Sequence, residues 1–298
     1  MRQTRVVVVG SANMDLVGTA PALPRPGETL LGTGFVMVPG GKGANQAIAA
    51  ARAGASCAFL GAIGSDAFGV TLRARITAAG VDTDQLRTTY GTSGVALVMV
   101  NAEGENAILV TPGANASMTH LTDPELAAVR SADVLLAQLE IPVGTVTRAA
   151  VVARAAGSRV VLNAAPAVPV PPELLAATDL LVVNETEAQA LTGRGRDDPS
   201  ALLDLVPRVV LTLGAQGAWY GDRDGTAVHV PAVKVDVVDS TATGDAFTAA
   251  LAVAWGEGRD LVDAVRWAAA AGAACARRLG ASSALPSRAE IEELYTPA

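Results

Sequence analysis

The chain has 298 residues, of which 22 are Lys or Arg and 29 are Asp or Glu, so its formal net charge is −7. An acidic chain has no sequence-wide basic field, which argues against binding to nucleic acid or to an anionic membrane. Half of the residues are apolar but only 3% are aromatic, so we expect a core of Ala, Val and Leu. This length suits one large α/β domain or two smaller ones.

Few sequence features report on the compartment. Cys57 and Cys275 have neither a CxxC nor a zinc-site spacing, so no disulfide framework is expected and a reducing compartment is favoured. The apolar run at residues 6–9 is too short for a signal peptide, and no run approaches the ~18 residues of a membrane span. We therefore expect a soluble protein of the cytoplasm.

The first predicted strand ends in a short polar segment. Residues 6–9 are a β-branched run before Gly10, which is typical of a strand buried on both faces. The segment that follows is not GxGxxG, so the dinucleotide-binding fingerprint is absent. Asn13 and Asp15 lie two residues apart, and in an extended chain their side chains share a face. Such a pair suits vicinal hydroxyls, and a simple turn is the alternative.

Two separated segments predict a small second sheet. Short β-like pieces at 16–19, 29–31 and 34–38 are interrupted by Pro and Gly, and a second block at 94–100 and 106–110 surrounds a turn. Neither block has a helix to cover its outer face. We expect them to project from the main domain as a lid, whose exposed apolar face favours a homodimer.

A glycine-rich segment, PGGKGANQ, ends a strand and begins a helix predicted over residues 44–53. Its spacing is not that of a Walker A loop. Gly40 and Gly41 would let a ligand approach the backbone closely. Lys42 and Asn45 lie three residues apart on the first helical turn and share a face. Contact with a ligand is favoured over a glycine-rich turn with a solvated Lys.

The rest of the chain alternates predicted strands and helices, which indicates a mostly parallel sheet with helices on both faces. The predicted strands lie at residues 56–61, 133–138, 159–162, 180–183 and 209–213. Polar residues follow their C-terminal ends, where open α/β sheets bind ligands. We assign residues 1–14, 39–93 and 112–298 to a main domain and residues 15–38 and 94–111 to the lid.

The segment at residues 239–247, DSTATGDAF, follows a β-like run at 233–238 and opens an apolar helix that continues to about Trp255. Small residues at a helix N-terminus present backbone N–H groups to a phosphate or a developing anion. Asp245 would stand beside them and could accept a proton from a hydroxyl nucleophile. The alternative is an ordinary N-cap, at which Asp is common.

With these segments in view, the chain resembles the phosphofructokinase-B-like family of sugar kinases over nearly its whole length. PGGKGANQ and residues 239–245 resemble the two family signatures, and four further segments resemble its ribokinase branch. These segments are GVAL at 94–97, NAEGEN at 101–106, GAN at 113–115 and NETEA at 184–188. The resemblance implies a ribokinase-like three-layer αβα sandwich with a small β-sheet lid, and ATP-dependent phosphorylation of the 5-hydroxyl of D-ribose.

The resemblance also implies roles for individual residues. Asp245 would be the base, and the N–H groups of Ala242, Thr243, Gly244 and Asp245 would form the anion hole. The residues implied to contact the sugar are Asn13, Met14, Asp15, Gly41, Lys42, Gly43, Asn45, Glu140 and Asp245. Those implied to contact ATP are Asn184, Glu187, Thr212, Leu213, Gly214, Ala215, Gln216, Gly217, Gly244, Asp245 and Ala269. Glu187 would hold Mg²⁺, partly through water.

A potassium site beside the anion hole is implied as well, at Asp239, Thr241, Cys275, Arg278, Gly280 and Ala284. The sequence departs from the family pattern at three positions. Thr243 replaces a small Ala or Gly, Ala269 lacks the polar side chain often found near the adenine, and Ala284 replaces a Ser of the potassium site.

Three alternatives stay open. One is a sibling kinase for deoxyribose, a nucleoside or another sugar, and another is a non-catalytic sugar or nucleotide sensor. The third, an NAD-linked oxidoreductase, lacks the glycine fingerprint.

Overall fold

The computed structural model describes residues 3–193 and 200–297 of the chain. Thirteen strands in this part of the chain form two sheets, one of nine strands and one of four. The order in the large sheet is β13-β12-β11-β10-β9-β8-β1-β4-β5. Its strands are β1 (Arg5–Val9), β4 (Ser56–Gly64), β5 (Leu86–Thr89), β8 (Val134–Ala137), β9 (Arg159–Asn163), β10 (Leu180–Asn184), β11 (Arg208–Thr212), β12 (Ala218–Asp222) and β13 (Ala227–Val230).

Helices cover both faces of the large sheet. One layer packs with the Val6 and Val8 side chains of β1, and the other packs with Val7 and Val9. The first layer contains α1 (Lys42–Arg52), α2 (Ala67–Ala78), α8 (Thr243–Gly256), α9 (Leu261–Ala276) and α10 (Arg288–Leu294). The second contains α3 (Asp123–Arg130), α4 (Val143–Ala155), α5 (Pro172–Ala177), α6 (Glu185–Thr192) and α7 (Ser200–Leu203). The expected three-layer arrangement with a mostly parallel sheet is confirmed.

β1 is an interior strand of the large sheet. Its strand is buried on both faces, and it pairs in parallel with β4 on one side and β8 on the other. Chain order therefore reverses between β1 and β8, which is the switch point at which open α/β sheets form a crevice. Only the β11–β12 and β12–β13 pairs of this sheet are antiparallel in the described residues.

The small sheet has the order β3-β2-β6-β7, with β2 and β6 parallel at its centre. Its strands are β2 (Asn13–Thr19), β3 (Gly34–Gly40), β6 (Gly94–Val100) and β7 (Asn106–Thr111). Large apolar side chains on it are exposed, including Phe35 at 63% and Leu109 at 64%. These strands come from the two predicted segments, although β2 begins earlier than expected, at Asn13.

Two predicted β-like pieces are not strands. Residues 29–31 lie in an exposed loop with Leu31 90% exposed, and residues 233–238 form a loop along α9. In the second loop the Val238 N–H donates to the Ala276 carbonyl of that helix. Because no neighbouring strand offers a ladder to either piece, their β-branched composition does not produce a strand. β4 shows the opposite error, since it continues to Gly64 beyond its predicted end.

No helix in the described ranges, 3–193 and 200–297, has the length and apolarity to cross a membrane.

We expect Gly43→Ala to destabilise the protein, because α1 begins against the turn after β1. A Cβ at Gly43 would lie 2.5 Å from the Ser11 backbone nitrogen, which cannot move aside as a flexible side chain could. Overpacking of this kind costs about 1–3 kcal/mol in the free energy of unfolding. Urea denaturation should measure this loss.

Gly144→Ala is the matched control, since Gly144 is also the second residue of its helix, α4, and its Cβ would meet nothing within 4 Å. Equal stabilities for the two variants would contradict the close packing at Gly43.

Candidate active site

A cavity of about 240 Å³ lies at the carboxyl ends of β9, β10 and β11, between the N-termini of α1 and α8. Polar and small side chains from distant parts of the chain meet there. Its walls are formed by Lys42, Asn163, Ala165, Val182, Val183, Asn184, Glu187, Thr212, Ser240, Ala242, Gly244, Asp245 and Thr248. The structure therefore brings together the predicted base, the N-terminal turn of its helix, the predicted lysine and the Asn184–Glu187 pair.

Asp245 lies in the first turn of α8. The turn begins after Ala242, whose φ of 60° is in the left-handed region, and no other described non-glycine residue has a positive φ. Such a conformation costs ~1–3 kcal/mol and tends to be kept at functional sites. It starts the helix abruptly and places Ala242, Gly244 and Asp245 at the cavity, whereas Thr243 does not line it and its N–H donates to the Ser240 carbonyl at 3.3 Å. Asp245 is only 8% exposed.

Two amides hold the Asp245 carboxylate. Oδ2 accepts a hydrogen bond of 3.0 Å from Asn45 Nδ2, and Oδ1 accepts one of 2.9 Å from Gln46 Nε2. Burial raises the pKa of Asp245, although the charge of Lys42 and these two amides oppose the rise. The carboxylate is thus buried, oriented and close to a cation, which is a suitable environment for a general base.

Lys42 faces several carboxylates. Burial alone would lower the pKa of Lys42, but Asp245, Glu140 and Glu187 outweigh burial and raise it. The ammonium therefore stays charged. A charged amine is a poor nucleophile but a good partner for a phosphate or a sugar oxygen.

Asn13 and Asp15 lie on β2, so the alternative that they form a turn is wrong, while their binding of vicinal hydroxyls stays a prediction. Asn13 Oδ1 accepts a hydrogen bond of 2.7 Å from Asn115, and a Cβ on Gly94 would collide with both side chains. A Cβ on Gly40 would likewise collide with the Asp15 carboxylate. Neighbouring glycines therefore make the room in which the two polar side chains fit.

The pKa of Asp15 is displaced upward. Burial raises the pKa of Asp15 to about 7, and the charges of Glu140 and Asp245 add to the rise, while Lys42 opposes it. A buried carboxyl without enough donors favours a hydroxylic ligand that brings its own O–H groups. Met14, between Asn13 and Asp15, is buried in the core at 2% exposure and lies among apolar residues.

Glu140 follows β8 and is fixed by two donors. Its Oε2 accepts a hydrogen bond of 2.5 Å from Ser11 Oγ and one of 3.0 Å from the Lys42 N–H at the start of α1. Gly41 precedes that helix with a φ of 89°, and a Cβ there would approach the Asn13 nitrogen to 2.6 Å. The glycine-rich segment thus bends sharply around β2 and delivers Lys42, Gly43 and Asn45 to the same edge.

Asn184 and Glu187 form a reciprocal capping box at the start of α6. Asn184 Oδ1 accepts from the Glu187 N–H at 2.9 Å, and Glu187 Oε2 accepts from the Asn184 N–H at 2.8 Å. Burial raises the pKa of Glu187. Both residues also line the cavity, so the cap holds a carboxylate at its wall.

Only some of the residues predicted to contact ATP lie at the wall of the cavity. In the described part of the chain, the cavity wall includes Thr212 and Gly244 but not residues 213–217 or Ala269. Gly214–Gln216 form an exposed 3₁₀ turn directly after Leu213, and Gly217 follows it with a φ of 98°. Ala269 is buried in α9.

The predicted potassium residues cluster around Asp239. Its Oδ1 accepts from the Thr241 N–H at 2.8 Å, and its Oδ2 accepts from the Gly280 N–H at 2.9 Å. Cys275 Sγ lies 3.7 Å from the Thr241 carbonyl oxygen. Arg278 instead pairs with Glu290, and Ala284 is buried without a side-chain oxygen. Hence five of the six predicted residues are in direct contact, since the Arg278 N–H also donates to the Cys275 carbonyl at 3.2 Å.

The described residues hold no acidic or cysteine-rich cluster with which to test the expected Mg²⁺ and K⁺ sites. Within residues 3–193 and 200–297, no three or more His, Cys, Asp or Glu side chains are grouped to hold a metal ion. Such grouping is not needed for Mg²⁺ bound with a nucleotide, since that ion uses one or two carboxylates with phosphates and water. Glu187 at the cavity wall fits this requirement.

Three polar residues of the site were not identified from the sequence. Ser11, which is fully buried, bonds Glu140, while Gln46 and Asn163 join a chain of amides that ends at Asp245. Ser11 and Asn163 follow strands, as the recognised residues do, so their position was the available signal. Gln46 was signalled only by being polar within an otherwise apolar stretch of α1.

Comparison with known proteins gives a consistent result. Residues 3–288 match the pfkB family of carbohydrate kinases. The chain is 38% identical to a ribokinase of Haemophilus influenzae over 98% of each chain, and 39% identical to one of Bacillus subtilis over 98% of this chain and 99% of the relative. A solved structure of Arabidopsis thaliana ribokinase complexed with ribose and ATP superposes with a TM-score of 0.93, at 33% identity and full coverage of both chains.

We expect Asp15→Asn to stabilise the protein at alkaline pH. The pKa of Asp15 rises on folding from 3.8 to about 7, so ionisation of Asp15 costs stability as the pH rises through this interval. An amide avoids that cost, and the gain in the free energy of unfolding should reach at least about 1 kcal/mol near pH 8. Urea denaturation at about pH 5 and about pH 8 should show the gain growing with pH.

Asp66→Asn is the control, and we expect it to change the free energy of unfolding in the opposite direction. Burial alone would raise the pKa of Asp66, but hydrogen bonds from Ser93 and Gly69 outweigh burial and lower it. Its ionised form therefore stabilises the fold, and the variant should be less stable than wild type near pH 8. A pH-independent effect of Asp15→Asn would refute the assigned pKa.

Proposed function

Because the chain belongs to the pfkB family of carbohydrate kinases, we propose that it transfers the γ-phosphoryl group of ATP to the 5-hydroxyl of D-ribose. The product is ribose 5-phosphate, and the reaction serves ribose catabolism. The observation that carries this proposal is the buried, amide-held carboxylate of Asp245 at the N-terminus of α8. Similarity to relatives named ribokinase, and to a ribokinase complexed with ribose and ATP, supports the choice of substrates.

Asp245 acts as the base. It accepts the proton of the sugar hydroxyl while that oxygen attacks the γ-phosphorus in line with the departing ADP. The N–H groups of Ala242, Thr243, Gly244 and Asp245 form the anion hole for the transferred group. The left-handed backbone at Ala242 supports this role, because it exposes the first turn of α8 to the cavity. Lys42 adds positive charge on the same side.

The sugar lies between β2 and the start of α1. Asn13 and Asp15 bind its hydroxyls from β2, and Lys42, Asn45 and Glu140 bind them from the other side. Asn45 Oδ1 supports this arrangement, because it is a buried acceptor with no protein partner in the described structure. The backbone at Met14, Gly41 and Gly43 completes the surface.

ATP approaches from the ends of β10 and β11. Asn184, Glu187, Gly244 and Asp245 lie toward its phosphates, while residues 212–217 and Ala269 lie toward the nucleoside. Glu187 would hold Mg²⁺, partly through water, and the ion would supply positive charge to the phosphates.

Potassium is proposed to bind the loop at Asp239, Thr241, Cys275, Arg278, Gly280 and Ala284. Carbonyl oxygens around this loop suit a monovalent cation, and its contacts join the start of α8 to the end of α9. The cation would thereby support the anion hole.

The small sheet is proposed to act as the lid domain, residues 15–38 and 94–111, and as the surface of a homodimer. A lid excludes water and limits futile hydrolysis of ATP. The exposed apolar side chains of β3 and β7 support dimerisation, because a second copy would cover them. We place the reaction in the cytoplasm, where ATP is supplied and the buried free thiols of Cys57 and Cys275 stay reduced.

We expect Asp245→Asn to lower kcat by ~10²–10⁴, the usual effect of removing a general base. The sugar should still bind, because Asn13, Asp15, Lys42 and Glu140 are unchanged. ADP release with Mg-ATP and D-ribose measures kcat, and calorimetric titration of ribose measures binding. Asp236→Asn, at an exposed aspartate of the preceding loop, is the matched control and should retain wild-type turnover. Near-normal turnover of Asp245→Asn would disprove the base assignment.

We expect Phe35→Glu to convert the dimer into a monomer. Phe35 lies on β3 with 63% of its surface exposed, and a buried unpaired carboxylate in a dimer interface would be strongly unfavourable. Sedimentation equilibrium measures the mass of the particle. Tyr90→Glu changes a fully exposed aromatic outside the small sheet and should leave the mass unchanged. A monomeric wild-type protein would refute the proposed dimer.

A further inference from the structure

A chain of buried amides runs from the end of β8 to the carboxylate of Asp245. Gln138 Nε2 donates to Gln46 Oε1 at 2.5 Å. Gln46 Nε2 donates in turn to Asp245 Oδ1 at 2.9 Å and to Asn163 Oδ1 at 3.0 Å. Both glutamines are fully buried, and Asn163 is 8% exposed. These side chains come from the residue after β8 and from α1, β9 and α8, so the chain of hydrogen bonds joins the edge of the sheet to the helix layer above it.

The direction of these hydrogen bonds is imposed from one end. Asn163 Nδ2 donates to the Val182 carbonyl at 3.1 Å, and a backbone carbonyl can only accept. Asn163 must therefore turn its Oδ1 toward Gln46. Gln46 must therefore turn its NH₂ group toward Asn163, and the two hydrogens of that group are donated to Asn163 and Asp245. The amide of Gln46 consequently always presents a donor, and never its oxygen, to Asp245.

The other end of the chain is less well satisfied. Since Gln138 gives its NH₂ group to Gln46, its Oε1 points toward Gly10 and is a buried acceptor without a partner in the described structure. A Cβ on Gly10 would collide with that oxygen. A core built for stability alone would place an apolar side chain here, because an unsatisfied buried acceptor is unfavourable. The arrangement is therefore better explained by what it does at Asp245.

We propose that Gln46 is a positioning residue for the reaction, and that Asn163 sets its orientation. Gln46 holds one carboxylate oxygen of Asp245 while Asn45 holds the other, so the plane of the carboxylate is fixed relative to the first turn of α8. A proton can be accepted efficiently only if that plane faces the attacking hydroxyl. Gln46 does not line the cavity and need not touch the substrate.

This inference rests on the proposed function, with Asp245 as the base. The experiment compares Gln46→Met, Asn163→Leu and the double variant by steady-state kinetics with Mg-ATP and D-ribose. Methionine matches the length of glutamine but donates no hydrogen bond. We expect kcat of Gln46→Met to fall by about 10², the effect of a small misplacement of a reacting group, while KM for ribose stays near the wild-type value.

Asn163→Leu should show the same separation of kcat from KM, because it leaves one hydrogen of the Gln46 NH₂ group without its acceptor, and the amide that holds Asp245 is then less firmly fixed. The double variant should lose no more than Gln46→Met alone, since Asn163 acts through Gln46. Thr178→Val is the matched control: Thr178 is a fully buried polar residue that bonds the Leu174 carbonyl, remote from the cavity. It should lower the melting temperature without lowering kcat.

The outcomes are distinct. A wild-type kcat in folded Gln46→Met, or a rise in KM that accounts for its whole loss of kcat/KM, would overturn the positioning role. Additive losses in the double variant would overturn the role of Asn163. If Gln46→Met does not fold, a wild-type kcat in Asn163→Leu overturns the proposal in the same way. Absence of ribose turnover in the wild-type protein would instead refute the proposed function itself.

Discussion

The crowding of four carboxyl groups around one ammonium is the constraint on which the rest of the site depends. Asp15, Glu140, Glu187 and Asp245 all act on the charge of Lys42, and three of them have pKa values raised by burial. One cation cannot balance four ionised carboxylates in a buried crevice. The free protein therefore holds a strained electrostatic arrangement, which donors from a polyhydroxyl ligand and a magnesium–nucleotide complex would relieve. The site is built for ligands at the expense of stability.

Close contacts hold the crowded carboxylates in place and so limit the loss of stability that their repulsion causes. Gly40 leaves space for the Asp15 carboxylate, and Gly43 lets the start of α1 touch the turn that carries Ser11. Ser11 and the Lys42 N–H then share one oxygen of Glu140. The positions of the Asp15 and Glu140 side chains are thus determined by neighbouring backbone or by a short side chain. A flexible neighbour would allow the carboxylates to move apart.

Sequence patterns predicted the elements whose signal is local. The run at residues 6–9, the glycine-rich start of α1 and the start of α8 became β1, α1 and α8. The patterns failed at residues 29–31 and 233–238, because a strand also needs a neighbouring strand. They missed Gln46 for a similar reason, since its partner Asp245 lies 199 residues away. The direction of the amide chain depends on the Val182 carbonyl, which no spacing along the sequence reveals.

The composition that first indicated an Ala-rich core also explains how the site is assembled. α1 and α8 pack against each other in one apolar cluster, and both present small residues there, among them Ala47, Ala50 and Ala249. Small residues allow two helices to approach closely. Only at short separation can Asn45 and Gln46 on α1 reach both oxygens of Asp245 on α8. The geometry at the carboxylate therefore depends on the spacing of α1 and α8, and a larger side chain between the two helices would disturb the reaction.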